Sequence, residues 1–312
     1  MKHEKAPRSA RLRPAGLLTV VVLLGLVLAL AACSGGASSS AKGAGTSASA
    51  QSATSGSSIP KGDGDAAVLK ISGPGVASAQ SLSLSQLKAM KSAQRKETFS
   101  VRNSWPTSKS FTAQGVSLAD LLKAVGIKAD AGVVTITGRD GYLAHFTPDQ
   151  LLKPRQSFPG LAKQSAAGAT SVDALLAWSW DEPGDAAPTT KLRNFVGQDS
   201  LTDVNSVISV QDVTSITVAA GPLEQWAAPQ YDIARDGSAR TVTLYHDSMD
   251  SVQIYYTLDG TEPTVNSALY NPSTSYYQPQ LIVPIKAQAG ATLKLLVVGY
   301  GKEPSKVESV AL

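Results

Sequence analysis

Short apolar stretches separated by polar turns cover most of the chain after residue 66. Residues 67–71, 133–137 and 142–146 have the length and composition of β-strands. The last two are joined by a Gly-Arg-Asp-Gly sequence, which is typical of a turn. Three later apolar stretches predict a largely β continuation: residues 172–180, 194–197 and 204–218.

Between these strands, capping signals predict short helices. Ser83 and Thr147 each precede an apolar run, and each has a side-chain oxygen that can accept from the free amides of a first helical turn. Gln86 and Gln150 follow three residues later, which is the spacing of a capping box. The sequence therefore predicts a helix after Ser83 and another after Thr147.

A further helix is predicted after Ser117. Its apolar face consists of Leu118, Leu121, Leu122 and Val125. Gly126 follows directly, at the position where a helix usually ends on a left-handed residue. Strands mixed with short capped helices predict an α+β domain over residues 64–222.

Helical periodicity disappears after a junction at residues 221–229, which contains two prolines and a tryptophan. Four stretches beyond it alternate or run apolar: residues 241–245, 252–257, 281–285 and 292–298. Strands separated only by turns predict a second, all-β domain over residues 223–312, most simply a small sandwich.

The first 33 residues have the three parts of an export signal. Five Lys and Arg residues precede an apolar run at 17–32, which ends in Leu-Ala-Ala before Cys33. A basic head, an apolar stretch and small residues at a cleavage site are typical of a secretory signal peptide, here residues 1–32. The alternative is a transmembrane helix, although spanning usually takes about 20 apolar residues.

A cysteine directly after Leu-Ala-Ala makes this signal resemble the lipobox of bacterial lipoproteins. The resemblance implies a lipid on Cys33, with the chain held at the extracytoplasmic face of the cell membrane. Residues 33–63 would then form a tether. Of the 25 residues from 34 to 58, 21 are Ser, Ala or Gly, a composition that predicts disorder.

The net charge of +4 belongs to the export signal. Residues 1–32 carry five Lys or Arg and one Glu, so the remainder holds 23 charges of each sign. A basic pI would otherwise suggest nucleic-acid binding. Because the mature chain is formally neutral, nucleic acid is not an expected partner.

The scarcity of Cys and His narrows the chemistry. Cys33 is the only cysteine, so its lipidation would exclude disulfides, thiolate metal sites and cysteine nucleophiles. His145 and His246 are the histidines of the mature chain, too few for a typical zinc site. His145 lies in a predicted strand, and a sheet residue is favoured over a catalytic base. His246, with Asp247 and Asp250, could contact a cation or remain solvated.

The segment from Ile254 to Thr264, Ile-Tyr-Tyr-Thr-Leu-Asp-Gly-Thr-Glu-Pro-Thr, carries a family resemblance. It resembles the C-terminal immunoglobulin-like domain of chitobiase and β-hexosaminidase, and the resemblance covers about residues 231–312. In this motif Asp259 can bond back to the backbone, Gly260 can adopt positive φ, and Pro263 stops further pairing. The motif therefore predicts a turn, and the resemblance places the hydrolases' catalysis in a different domain.

Residues 65–218 resemble the molybdopterin-binding fold of the sulfite-oxidase family. The resemblance rests on several motifs in order: Leu-Ser-Gln-Leu at 84–87, residues 99–105, Gly-Val-Ser-Leu-Ala-Asp-Leu-Leu at 115–122, Asp-Gly-Tyr at 140–142, and Leu192-Arg193. It implies a cysteine thiolate on the metal at about residues 100–103, where this chain has none. We therefore expect no cofactor; a molybdopterin oxidoreductase with a non-cysteine ligand is the alternative.

If that fold holds, six residues would line the former cofactor cleft: Arg102, Asn103, Trp105, Asp140, Tyr142 and Arg193. They could bind a polar or anionic ligand. The favoured alternative is that Trp105 and Tyr142 fill the core while the arginines lie on the surface. Likewise Tyr270, Tyr276 and Tyr277 could form a platform for sugar rings or simply cover the sandwich.

From these features the sequence predicts a lipid-anchored binding or scaffolding protein, with no catalytic activity of its own. Besides the membrane, a cell-wall polysaccharide or a protein is the expected partner. Carbohydrate binding through the C-terminal domain is a further alternative.

Overall fold

The computed structural model describes residues 58–61, 64–105, 107–181 and 191–312. The predicted signal peptide, Cys33 and most of the predicted tether lie outside the described residues. Strands dominate the rest, because the three α-helices have only five to seven residues each. Thr54–Leu312 is one compact unit. Within the described part of the chain, no helix is long and apolar enough to span a membrane.

Eleven strands and the three helices form the N-terminal half. The strands are β1 (Ala67–Ser72), β2 (Gln80–Ser83), β3 (Gln94–Arg102), β4 (Ser108–Ser117), β5 (Ala131–Gly138), β6 (Leu143–Phe146), β7 (Arg155–Ser157), β8 (Thr170–Val172), β9 (Leu175–Trp180), β10 (Arg193–Phe195) and β11 (Val213–Ala220). The helices are α1 (Leu84–Ala89), α2 (Leu118–Ala124) and α3 (Pro148–Leu152).

Two main sheets organise this half. One has the order β2-β1-β11-β5-β6, in which β1 and β11 run parallel and the other pairs are antiparallel. The other has the antiparallel order β10-β9-β4-β3, and β7 pairs with β8 in a small separate ladder. β5 alternates buried and half-buried residues along its whole length, as a strand with one face on the core should.

The predicted caps form. Ser83 Oγ accepts from the Gln86 amide at 3.1 Å and Gln86 Oε1 accepts from the Ser83 amide at 3.0 Å, which completes a capping box. Thr147 and Gln150 make the same reciprocal pair at the start of α3. After α2, Gly126 adopts φ +76°, as predicted for a helix end.

The core of the N-terminal half lies between its two sheets. Buried apolar residues of β1, β5 and β11 meet those of β4 and β9, and the three helices add Leu87, Leu121 and Leu151. The opposite face of the second sheet is covered too, by a smaller cluster that contains Phe99, Phe111 and Phe195. Since that sheet is buried on both faces, its strands have little freedom to shift.

Seven strands form the C-terminal half: β12 (Gln230–Asp236), β13 (Ala239–Tyr245), β14 (Val252–Thr257), β15 (Ala268–Leu269), β16 (Ile285–Gln288), β17 (Thr292–Gly299) and β18 (Glu308–Ala311). Sheet β12-β13-β16 faces sheet β15-β14-β17-β18 across one core. Val242 and Ile285 from the first sheet meet Ile254, Leu295 and Val297 from the second. The predicted two-sheet sandwich is therefore present.

Two predicted strands are partly wrong. Residues 204–218 yield a strand only from Val213, and Ser206–Ile208 is a 3₁₀ turn. Residues 281–285 belong to a 3₁₀ turn at Pro279–Leu281 and a strand that starts at Ile285. The proline at 284 accounts for the second difference, because it has no N–H to donate to a ladder.

Candidate functional site: an aromatic surface beside a buried ionic junction

A buried ionic cluster joins the two halves. Arg155 from β7 donates to carboxylate oxygens of Asp203 at 2.6 Å and Asp199 at 2.8 Å. Tyr300, directly after β17, donates its hydroxyl to Asp203, whose two oxygens lie 2.8 and 2.9 Å away. The guanidinium of Arg155 also lies over the Tyr300 ring, 5.2 Å from its centroid. One C-terminal side chain thus completes a charge cluster of the N-terminal half.

Burial and the neighbouring charges set the protonation states of this cluster. Burial disfavours the charged guanidinium of Arg155, but the carboxylates of Asp203 and Asp199 outweigh it, and its pKa is raised. Burial and the charge of Asp203 raise the pKa of Tyr300 well above its usual value. The phenol therefore keeps its proton and serves as the donor to Asp203.

Asp199 gives the junction a measurable pH dependence. Burial raises the pKa of its carboxyl above the ordinary 3.8, against the opposing effect of Arg155. The folded state thus binds this proton more tightly than the unfolded state, so the contribution of Asp199 to stability is present below its unfolded pKa and lost as pH rises through the folded pKa. We expect the unfolding free energy of the wild type, minus that of Asp199→Asn, to fall as pH rises above the ordinary carboxyl pKa of 3.8.

Urea unfolding of both proteins at successive pH values measures this difference. Because 45% of the Asp199 side chain is exposed, solvent moderates the effect and the slope should be shallow. A difference that rises over the same range would contradict the assignment.

Side-chain hydrogen bonds fix the same junction. Gln150, the capping residue of α3, donates to the Gly299 carbonyl at 3.0 Å and accepts from the Gly301 amide at 3.0 Å. The hydroxyl of Tyr255 in β14 lies 2.9 Å from that of Thr202. Contacts from two strands of the sandwich therefore hold it against the N-terminal half in one orientation.

An exposed aromatic cluster lies across the two halves. Trp105, from the turn between β3 and β4, meets Tyr277 edge to face, with ring centroids 5.1 Å apart. Tyr277 meets Tyr276 in the same way at 4.6 Å. The three side chains are 52%, 55% and 52% exposed, so each keeps about half of its surface in solvent. We call these three residues the aromatic surface.

A narrow cleft opens beside the aromatic surface. Ser104, Val207 and Tyr276 line it together with polar residues of the sandwich. Its volume is only about 40 Å³. The exposed Tyr142 donates a hydrogen bond from its hydroxyl to the carbonyl of Val207, which is one of the residues that line this cleft.

The six predicted cleft residues fall in three places. Trp105 belongs to the aromatic surface, and Arg102 and Asn103 precede it at the end of β3. The Arg102 guanidinium donates to the Leu201 carbonyl at 2.6 Å and to Gln164 Oε1 at 2.7 Å. Asn103 donates to the Thr107 hydroxyl, so both polar side chains already have protein partners.

Asp140 and Tyr142 lie in the turn between β5 and β6, where the Asp140 carboxylate accepts from the Tyr142 amide at 3.0 Å. The interpretation of Tyr142 and Trp105 as core residues is wrong, because both side chains are about half exposed. They remain exposed because each stands in a hairpin turn, beyond the last paired residues of its sheet.

Arg193 lies apart from the other five residues, and the prediction that it is a surface residue is wrong. Its side chain is 7% exposed, and its guanidinium lies 4.9 to 5.7 Å from the ring centroids of Phe111, Trp180 and Phe195. Nε donates to the Ser209 hydroxyl at 3.0 Å. A guanidinium enclosed by aromatic faces is stabilised by cation–π attraction, which accounts for its burial.

The position expected for a metal thiolate is filled by a hydrogen-bond network. Ser100 is buried; its hydroxyl donates to Gln198 Oε1 at 2.6 Å and accepts from the Phe158 amide at 2.8 Å. Its carbonyl accepts from Asn205 at 2.9 Å. A neutral hydroxyl that already donates one hydrogen bond and accepts another is a poor ligand for a high-valent metal, which requires a charged soft donor. Residues 100–103 therefore do not fit a molybdenum–thiolate site.

The two histidines make local contacts. His145 in β6 shares a hydrogen bond with the hydroxyl of Thr135 at 3.0 Å, across the strand pair β5–β6. His246 accepts from the Ser248 amide at 3.0 Å. Among the described residues, no three His, Asp or Glu side chains are grouped so that they could hold a metal ion.

The turn motif and the tyrosine platform have different outcomes. Asp259 accepts from the Thr261 amide at 3.0 Å, and Gly260 adopts φ +77°, so this segment forms a turn. Tyr270 does not join Tyr276 and Tyr277, because it is buried and its hydroxyl accepts from the Leu244 amide at 3.0 Å. A platform of those three tyrosines is therefore wrong.

Sequence reasoning missed the ionic junction entirely. Arg155, Asp199 and Asp203 stand in polar segments that look solvated, and Tyr300 follows a strand like many surface tyrosines. A signal exists only for Gln150, whose capping box was predicted; its second role toward Gly299 and Gly301 depends on residues far away in the sequence.

Comparison with known proteins assigns one part of this chain. A family model described as the chitobiase/beta-hexosaminidase C-terminal domain matches residues 236–309, that is, most of the sandwich. No curated protein matches the chain. Among solved structures, the sulfane dehydrogenase SoxCD from Paracoccus pantotrophus is similar at 12% identity with a TM-score of 0.35, over 76% of this chain and 68% of that one. A similarity of that size carries no conclusion about fold or function.

Proposed function

We propose that this chain is a membrane-tethered, extracytoplasmic binding protein that uses the aromatic surface to hold its ligand and catalyses no reaction. The observation that carries the proposal is the aromatic surface itself: three large rings from two separate parts of the fold, each about half exposed. Aromatic side chains in such numbers are enriched at interaction sites, because they supply large contact areas at low entropic cost.

The junction supports the same proposal. A surface assembled from both halves keeps its shape only if the halves keep their positions, and the Arg155–Asp203–Tyr300 cluster holds them. Polar groups that could serve catalysis have structural roles instead. The Ser100 hydroxyl is hydrogen-bonded to Gln198 and to the Phe158 amide, and His145 is hydrogen-bonded to Thr135.

The sequence supports the location. A basic head, an apolar run and Leu-Ala-Ala before Cys33 favour export and lipidation. We propose an immunoglobulin-like fold for the sandwich, in line with the family match, and a molybdopterin-type fold without its metal ligand for the N-terminal half. A formally neutral mature chain is consistent with a polysaccharide or protein partner rather than nucleic acid.

The test compares the full chain with Cys33→Ser in the cell that produces it. We expect the intact mass of the wild type to show a chain that begins at Cys33 and carries a diacylglycerol on its sulfur, and that of Cys33→Ser to show residues 1–32 retained and no lipid, because cleavage follows lipidation of the cysteine. Hydroxyl-radical labelling of intact cells should then modify Trp105, Tyr276 and Tyr277 of the wild type several-fold less than in the purified protein, since bound ligand excludes solvent from the rings.

Tyr231 in β12 and Tyr245 in β13 are the internal controls, because they are 37% and 48% exposed and do not belong to the aromatic surface. Their labelling should be the same in both states. Equal labelling of all five rings on cells and in purified protein would reject a binding role for the aromatic surface. A wild type whose mass shows residues 1–32 retained and no lipid on Cys33 would reject the lipid anchor and favour a spanning N-terminal segment.

A further inference from the structure

The aromatic surface has properties that narrow the class of ligand. The Tyr277 ring stands at 74° to the Trp105 ring and at 83° to the Tyr276 ring, so the three rings do not form one flat plane. Among the described contacts, no hydrogen bond uses the hydroxyls of Tyr276 and Tyr277 or the indole N–H of Trp105. The cluster therefore offers apolar faces together with unused polar edges.

Charge is the second property. The aromatic surface contains no charged side chain, and the nearest cation along the chain, Arg102, is already bonded to Leu201 and Gln164. Burial lowers the pKa of Arg102, which further marks it as enclosed rather than presented. A ligand that depends on phosphate or carboxylate groups would find no partner at these rings, so the chemistry favours a neutral ligand.

The adjoining cleft supplies the third property. Its lining combines polar groups, such as the Asp250 carboxylate and the Gln253 amide, with apolar side chains, among them Met249 and Val204. Its volume of about 40 Å³ exceeds the roughly 10–15 Å³ that a cavity needs to hold one water. The cleft can thus admit a single small polar substituent, while the body of the ligand stays on the rings.

Pyranose sugars combine these requirements. The C–H faces of a sugar ring are apolar and its hydroxyl edges are polar, so the faces cover aromatic rings while the edges bond to hydroxyls and amides. Deepening the proposed binding function, we propose that the aromatic surface binds a neutral polysaccharide strand, with sugar rings against Trp105 and Tyr277 and one exocyclic hydroxymethyl or acyl substituent in the cleft beside Tyr276.

Two other occupants fit less well. A proline-rich peptide also docks on aromatic grooves, but its apolar rings would leave the polar groups of Asp250, Ser251 and Gln253 in the cleft without new partners. Trp and Tyr also suit a membrane interface, but the carboxylate of Asp250 in the same cleft would be repelled by anionic headgroups. Both remain outcomes that the experiment separates.

The test is co-sedimentation of the full chain, in detergent, with three insoluble neutral polysaccharides: cellulose, chitin and β-1,3-glucan. We expect the wild type to bind at least one of them, and Trp105→Ala and Tyr277→Ala to bind it about tenfold more weakly or less, because each removes an anchor of the surface. Trp105→Phe, which keeps a ring, should restore part of the affinity. Tyr231→Ala, at an exposed tyrosine on the other sheet, is the matched control and should bind like the wild type.

Since Trp105 and Tyr277 are exposed, their substitutions should leave the thermal unfolding midpoint unchanged, so that lost binding is not lost folding. Wild-type protein that binds none of the three polysaccharides overturns the inference, as does equal binding by Trp105→Ala. Retention instead by a polyproline peptide overturns it. So does detergent-free retention of the unlipidated Cys33→Ser chain by liposomes of phosphatidylcholine with an anionic lipid, if Trp105→Ala removes that retention. In each of these cases protection of the rings on cells would still support the proposed binding function.

Discussion

Replacing Asp203 by Asn is expected to lower the free energy of unfolding by about 3 kcal/mol, because it leaves a buried guanidinium without its main counter-charge. Arg155 and Asp203 have side chains only 6% and 8% exposed, so water cannot substitute for the lost carboxylate. Asp199 still contacts Arg155, but it is 45% exposed and partly hydrated, which places the expected loss at the lower end for a broken buried pair. Urea unfolding at neutral pH measures it.

A double substitution tests the reason for that loss. Arg155→Met with Asp203→Leu removes both charges of the pair, so no buried guanidinium remains without its counter-charge and part of the lost stability should return. The return is partial, because the Tyr300 hydroxyl and the Asp199 amide lose their acceptor. If the double variant is as unstable as Asp203→Asn, the loss reflects packing rather than uncompensated charge. Asp203→Asn within about 1 kcal/mol of the wild type would show that the cluster does not hold the junction.

The exposed pair Lys153–Asp149 is the matched control. It has the same chemistry and a similar distance of 2.6 Å, but its side chains are 69% and 65% exposed. Surface pairs of this kind contribute little, because solvent screens them and two long side chains must be ordered. Asp149→Asn should therefore leave the unfolding curve unchanged, and a loss comparable to that of Asp203→Asn would contradict the role assigned to burial.

Replacing Gly115 by Ala is expected to destabilise the N-terminal half by about 3 kcal/mol, the upper part of the range for overpacked cores. A Cβ at this position of β4 would overlap the Leu176 carbonyl oxygen and lie 2.5 Å from the Ala177 Cα in β9. β4 is an interior strand between β3 and β9, so it cannot move away from one partner without disturbing the other. The thermal midpoint and urea unfolding of the purified variant report the loss.

Gly141→Ala separates steric overlap from backbone strain. Gly141 has φ +84° with no atom within 4 Å of an added Cβ, so Ala there costs only the strain of a left-handed residue, about 1 kcal/mol. Equal losses for the two variants would mean that overlap at β9 is relieved by movement of the strands. A larger loss for Gly141→Ala would contradict the packing described for β4.

Local patterns predicted the local structure well, and the reason is physical. Helix caps depend on residues only a few positions apart, so the sequence alone predicts them, as at the capping boxes of Ser83 and Thr147 and the helix end at Gly126. The alternation in β5 and β17 is equally legible, because one face of each strand lies on a core.

Segments whose backbone is bonded by distant side chains could not be predicted. Asn205 donates to the carbonyls of Ser100 and Val196 and accepts from the Arg102 amide, so side-chain bonds hold a stretch that looked like a strand. β12 was not predicted, because its side chains are mostly exposed and give no strand pattern in the sequence. Six of its seven residues are exposed and it shows no apolar alternation, although it pairs with β13 along its full length.

The aromatic surface lay half within the predictions. Trp105 was assigned to one candidate site and Tyr276 and Tyr277 to another, because the sequence does not show which side chains from distant segments meet. Only the docking of the sandwich brings them together. That docking depends on Tyr300, which no pattern distinguishes from a solvent-facing tyrosine.

Where the chain enters the folded body has a mechanical consequence. β1 begins at Ala67 and pairs on both sides, antiparallel with β2 and parallel with β11, so it is an interior strand of its sheet. Just before it, the Pro60 carbonyl accepts from Gln86 at 2.9 Å, which fastens the entering segment to the cap of α1. A pulling force on the segment before Pro60 would therefore have to break two strand pairings at once rather than peel a single edge strand from the sheet.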